Sequence, residues 1–199
     1  WPSISMYGGS LVAAEAVARR ELSLLPGVAE DDSRPGPLVF IDTAGKGWDE
    51  VSTEEDPSTH NPEQGRRVVA EVRRLLGRGV PPADVAVITP YRAQVRLLSD
   101  SLSAEVDAGL EVGSIDGFQG REKEAVVLDL VRSNESGEVG FLRDVRRMNV
   151  ALTRARRFLI VVGDSATLGG HSYYSGFMEA AEQSGNWLSA WTDEAPPFE

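Results

Sequence analysis

Four short runs in this chain are almost wholly apolar and do not alternate: Pro37–Asp42, Val85–Ile88, Ala125–Val131 and Phe158–Val162. A strand with one wet face alternates apolar and polar residues. Runs that do not alternate predict strands covered on both faces. A shorter run, Val112–Ile115, predicts a further strand. Between the runs the apolar period changes to that of a helix. Val68, Val69, Val72, Leu75 and Leu76 mark one such face. Val95, Leu98 and Leu102 mark a second, Met148, Ala151, Leu152 and Ala155 a third, and Tyr174, Phe177, Met178 and Ala181 a fourth. Asn61 is placed to cap the first of these, with Pro62 at its opening position and Gln64 able to reach back to the cap. Gly77 and Gly79 stop it. The alternation predicts an α/β fold: a mostly parallel sheet with helices on both faces. Ligands of such sheets gather at the carboxyl ends of the strands, so the segments after Ile88, Ile115, Val131 and Val162 are expected to matter most.

The outer parts of the chain are less regular. Leu11–Leu25 is Ala-rich and predicts a helix stopped by Pro26 and Gly27, followed by an acidic surface loop to Pro37. A single domain is expected over 1–185. The tail over 186–199, with Trp187, Trp191, Pro196 and Pro197, is expected to dock in part and fray. The chain opens at Trp1 rather than Met, and reads as a piece of something longer or as a processed or engineered chain. With no cysteine there is neither a disulfide nor a Cys-based zinc site. That favours an intracellular setting, cytoplasmic or, in a eukaryote, nuclear. His60 and His171 stand too far apart to read as a histidine-rich metal site. No apolar run approaches the roughly 18 residues of a membrane span.

The net charge of −11 argues at first against a nucleic-acid partner, but the charge is unevenly spread. Glu30 to Asp56 holds nine acids against two bases. Arg143 to Arg157 holds six arginines against the single acid Asp144.

The nearest approach to a phosphate-binding loop fails. Gly45-Lys46 is the only Gly-Lys pair, but Phe40 stands where such a loop needs its first glycine and Gly47 where it needs Ser or Thr. Three other segments carry more chemistry. Thr89–Gln94 puts a Tyr, an Arg and an amide just after a predicted strand, which suits a nucleic-acid strand or a base. Ser114–Glu122 crowds Ser114, Asp116, Gln119, Arg121 and Glu122 around Gly117 and Gly120, which permit tight turns and close approach to a ligand. Arg146–Arg156 reads as a helix on which Arg147 and Arg154, seven apart, share the border of the apolar stripe, where a guanidinium can grip phosphate. Singly, each segment also suits an ordinary turn or a solvated basic face.

Together and in this order the segments resemble the second RecA-like domain of a superfamily 1B helicase. Thr89–Gln94 resembles motif IV, Ser114–Glu122 motif V, and Asn149–Arg156 motif VI. The likeness is greatest to the branch that holds the nonsense-decay helicase, senataxin and the immunoglobulin mu-binding protein 2 helicase, and Gly137–Leu142 and Asp42–Gly45 look especially like the last of these. The resemblance covers about 10–167. It implies a RecA-like fold of the P-loop NTPase type and an ATP-dependent DNA or RNA helicase. ATP would lie between two RecA-like domains, with the phosphate loop and the Mg2+ ligands on the other, missing domain, so this chain alone would be inactive. It implies Arg154 as the arginine finger, with Gly120, Arg121 and Glu122 beside the nucleotide. Thr89, Tyr91, Arg92, Ser114 and Asp116 would lie toward a single strand of RNA or DNA. The alternatives are the motor of a helicase–nuclease in DNA processing, and a non-catalytic RecA-like regulatory binding domain.

Overall fold

The computed structural model describes residues 9, 20–34, 36–53 and 56–192. The expected helix over 11–25 falls mostly outside them; within them Leu22–Leu24 forms a single 3-10 turn. Six strands make one parallel sheet: β1 (Leu38–Asp42), β2 (Val85–Thr89), β3 (Glu111–Ser114), β4 (Lys123–Asp129), β5 (Ala155–Gly163) and β6 (Trp187–Ser189). Their order across the sheet is β3-β2-β4-β5-β1-β6. The helices are α1 (Pro62–Gly77), α2 (Arg92–Ser101), α3 (Ser103–Asp107), α4 (Val145–Leu152), α5 (Ser165–Leu168) and α6 (Ser172–Gln183).

The apolar runs behave as their lack of alternation requires. Successive side chains point to opposite faces. Val39, Ile41, Val87, Val127 and Ile160 pack under α1 and α2, with Val68, Val72, Leu75 and Leu98. Their neighbours Phe40, Ile88, Leu128 and Val161 pack on the other side under α4 and α6, with Met148, Ala151, Tyr174 and Phe177. The α/β sandwich expected from the sequence is therefore the one found. Trp187–Ser189, inside the segment read as a tail, runs parallel to β1 and extends the sheet.

Three local expectations are corrected. First, Asn61 does cap α1, its side chain accepting from the Gln64 N–H at 3.0 Å. The Gln64 side chain does not return the bond; Gln94 takes the Asn61 N–H instead, at 2.8 Å. Gln64 is drawn away because its Oε1 accepts the Val131 N–H at 3.1 Å, a donor it shares with Asp129. Second, β4 stops at Asp129, and the chain turns away at Val131 with φ 70°, an unusual conformation for a β-branched residue. Third, α4 ends at Leu152, so Ala155 is not on the helix but opens β5 beside Lys123. The Thr153 hydroxyl and the Arg154 Nε both donate to the Val150 carbonyl, at 2.9 Å each, closing the last turn. Arg147 and Arg154 consequently do not share a helix face.

Candidate functional site

The residues of interest are distributed over two edges of the sheet, and the length of one connection explains why. β3 ends at Ser114 on the carboxyl edge, and β4 begins at Lys123 on the amino edge. β4 runs parallel to β3 with β2 between them, so it must be reached by crossing the sheet. Here residues 115–122 make the crossing with only a 3-10 turn, Asp116–Phe118. Ile115 and Phe118 are buried against the sheet and hold this segment down. Gly113 makes room for it, since a Cβ there would stand 2.9 Å from the Phe118 ring.

α4 descends beside this crossing in the same direction. Near the carboxyl edge Arg147 meets Asp116 at 3.6 Å. Near the amino edge the Arg154 guanidinium donates to the Arg121 carbonyl at 3.3 Å. The segments expected to form one site, Ser114–Glu122 and Asn149–Arg156, are thus brought side by side. Gly120, at φ 80°, makes the turn that lets Arg121 fold back. The Arg121 guanidinium bonds Glu111 and the Gly117 carbonyl, at 2.6 Å each, over the Phe118 ring.

Arg154 and Glu122 therefore sit before β5 and β4, at the amino edge, not after strand ends as expected. The carboxyl-end rule describes sheets that cradle a ligand in their own strand-to-helix loops, and Gly45-Lys46, after β1, fails the pattern of a phosphate loop.

The arginine cluster is not uniform. Arg146 pairs with Asp144, Arg147 with Asp116, Arg156 with Glu122 and Glu124, and Arg157 with Glu124. Burial works to raise the Glu124 carboxyl, but its bonds to Arg157 and Arg156 outweigh that and hold it below the usual carboxylate range. Arg154 differs. Its donors go to the Val150 carbonyl at 2.9 Å, the Thr153 hydroxyl at 2.9 Å and the Arg121 carbonyl at 3.3 Å. All three acceptors are neutral, so its charge is oriented without being cancelled.

At the carboxyl edge Thr89 and Ser114 lie in register on neighbouring strands. Thr89 is fully buried, and its hydroxyl has no partner among the described residues. Tyr91 is half-buried, and its hydroxyl accepts from the Phe141 N–H at 3.2 Å and from Arg132 at 3.3 Å. Arg92 and Asp116 are exposed, and Ser114 is half-buried with its hydroxyl accepting from the Gly117 N–H.

Behind these residues lies a buried polar network that was not anticipated. Gln94 accepts from the Asn61 N–H and donates to the Asn61 carbonyl and to Asp129, the last at 2.6 Å. Asp129 also accepts from the Val131 N–H at 3.1 Å. Full burial pushes the Asp129 carboxyl up to about 7, against the pull of these bonds. The available signal was Asp129 itself, a lone acid inside an apolar strand. Among the described residues no group of three His, Asp or Glu is placed to hold a metal ion.

The family model described as an AAA domain matches residues 1–166. DNA-binding protein SMUBP-2 of Rattus norvegicus is 50% identical over 173 residues, 87% of this chain and 17% of that protein. DNA polymerase alpha-associated DNA helicase A of Saccharomyces cerevisiae is 40% identical over 193 residues, 92% of this chain and 28% of that protein. The regulator of nonsense transcripts 1 homolog of Neurospora crassa is 35% identical over 184 residues, 87% of this chain and 16% of that protein. The chain belongs to the superfamily 1 helicase family. It spans well under a third of each of these helicase-family relatives. No helix among the described residues is long and apolar enough to cross a membrane.

Proposed function

We propose that this chain is the second RecA-like motor domain of an ATP-dependent helicase, which supplies Arg154 as an arginine finger to a nucleotide held by another domain. The observation that carries the reading is the set of neutral acceptors around Arg154. A guanidinium stays charged at any physiological pH. One fixed by carbonyls and a hydroxyl keeps its attraction for a phosphate, whereas Arg156 and Arg157 already spend theirs on carboxylates. The failure of Gly45-Lys46 as a phosphate loop supports the same division of labour: this chain stabilises charge and another domain holds ATP and its Mg2+.

Phosphoryl transfer needs positioning and charge stabilisation more than covalent help. When the interdomain cleft closes, Arg154 meets the oxygens on which charge builds; when it opens, the charge is withdrawn. Glu122, engaged by Arg156, and Gly120 and Arg121 form the surface beside the finger that meets the nucleotide. Arg92, Ser114, Asp116 and the Tyr91 ring lie at the opposite edge, toward a single strand of RNA or DNA. Local contacts there are compatible with the overall charge of −11, because a motor grips backbone phosphates through a track and not through its whole surface. A purely regulatory binding domain would have no use for an uncancelled, oriented Arg154.

The test is turnover by the full-length protein with saturating nucleic acid. Arg154→Ala is expected to lower it roughly 10³-fold while nucleotide binding changes far less. Arg156→Ala, which removes a guanidinium already paired at the surface, is expected to stay within about tenfold. Equal losses in the two variants would sink the assignment of the finger to Arg154.

A further inference from the structure

The segment between the crossing and α4 was singled out in the sequence only for its likeness to a helicase branch, yet it touches both Tyr91 and Arg147. Gly140–Arg143 is a 3-10 turn. Phe141, half-buried, stands at its centre. The Arg147 guanidinium lies over the Phe141 ring at 3.9 Å. The Tyr91 ring lies tilted against it, with centroids 6.1 Å apart, and the Tyr91 hydroxyl accepts the Phe141 N–H. Arg147 in turn reaches Asp116 at 3.6 Å. One phenyl ring therefore joins the start of α2, the crossing 115–122 and α4.

The turn is built to hold this position. Leu142 is buried, and its carbonyl accepts from the buried Tyr174 hydroxyl at 2.7 Å, tying the turn to α6. Gly140 has φ 52°, and a Cβ there would stand 2.8 Å from the Tyr91 hydroxyl and collide with the Arg132 guanidinium. Glycine is what allows Tyr91 to come close enough to bond the next N–H.

We propose that Phe141 is a positioning residue that couples the nucleic-acid edge to the nucleotide edge: it clamps Tyr91 and Arg147 so that a change at the strand track moves α4, and with it Arg154. The path is physical throughout. Tyr91 and Asp116 lie at the carboxyl edge. Arg147 stands near the head of α4 and Arg154 just beyond its end, bonded back to Val150. A side chain that holds the head of so short a helix sets where its foot points. Phe141 itself is at the carboxyl edge, so it acts on the nucleotide only through Arg147.

The inference rests on Arg154 being the finger, and its test separates the two. In the full-length protein, ATP turnover is measured without nucleic acid and with an oligothymidylate or oligouridylate strand, and strand affinity is measured by fluorescence anisotropy. Phe141→Leu is expected to lower strand-stimulated turnover about tenfold while unstimulated turnover and affinity stay within about twofold. Phe141→Tyr, which keeps the ring, is expected to restore stimulation. Arg147→Ala should match Phe141→Leu, and the double variant should be no worse than either. Retained stimulation in Phe141→Leu overturns the proposal. So does a parallel fall of stimulated and unstimulated turnover, which marks a merely structural role, or an additive double variant. A wrong finger shows itself differently, as an Arg154→Ala variant with intact unstimulated turnover.

Discussion

The two edges of this sheet handle polar groups in opposite ways. At the amino edge they are exposed and paired: Arg156 and Glu122 are 48% and 50% exposed at the side chain, and Arg121 reaches Glu111 across open surface. At the carboxyl edge, beneath the exposed Arg92 and Asp116, a further set is buried and shared: Asn61, Gln64, Gln94 and Asp129 are wholly enclosed, and their bonds depend on one another. Surface pairs in water contribute little and exchange readily. A buried donor or acceptor that loses its partner cannot fall back on water. The contrast separates two tasks. The edge that must meet and leave a nucleotide carries contacts that break without unfolding anything. The edge that must keep α1, α2 and β4 in one arrangement carries contacts that cannot be exchanged.

The sharpest way to break this comparison is Gln94→Leu. It removes three buried hydrogen bonds, leaves the Asn61 N–H without a partner and Asp129 with only the Val131 N–H, and a loss of about 3 kcal/mol or more in urea unfolding is expected. A loss no larger than that of a surface pair would show the network to be ornamental.

Gly140→Ala comes next. The strained φ and the crowding against Tyr91 and Arg132 predict a loss of about 1–3 kcal/mol, read by thermal or urea denaturation. A neutral outcome would mean that the turn carrying Phe141 has room to relax.

The smallest effect, per unit of pH, belongs to Asp129. Its carboxyl is pushed to about 7 from the ordinary 3.8, so the folded state holds a proton that the unfolded chain has released over that interval. Its contribution is complete below the lower value, declines as pH rises, and is gone above about 7. Unfolding free energies between these limits should fall with pH by up to about 1 kcal/mol per unit more steeply than in Asp129→Asn. Identical slopes would place the Asp129 carboxyl in contact with water.

Much of the fold was legible because burial on both faces leaves a mark in one dimension. Val85–Thr89 and Phe158–Val162 could not have been half-exposed strands, and Val68, Val72 and Leu75 could not have served a strand. The segments of the site were legible for a related reason: clustered glycines and polar side chains in Ser114–Glu122 exceed what a turn requires. The network was not legible. Gln64 looked like a capping residue because Asn61 lies three positions before it. What redirects it is the Val131 N–H, which is remote in sequence and exposed to the need only once β4 ends.

What the sequence by itself determined, then, is the layered α/β architecture and the failure of Gly45-Lys46 to match a phosphate-loop motif, since both follow from residue types at short spacing. Only the tertiary structure decided which arginines meet carboxylates and that Arg154 is fixed by neutral acceptors. Helical spacing had paired Arg147 with Arg154 on one face, but the helix ends before Arg154, and the two lie near opposite edges of the sheet. The partners that cancel or preserve a guanidinium's charge are carboxylates and carbonyls brought in by neighbouring elements. Glu122 and Glu124 reach Arg156, and Arg121 offers Arg154 only a carbonyl, because β4 and β5 start side by side.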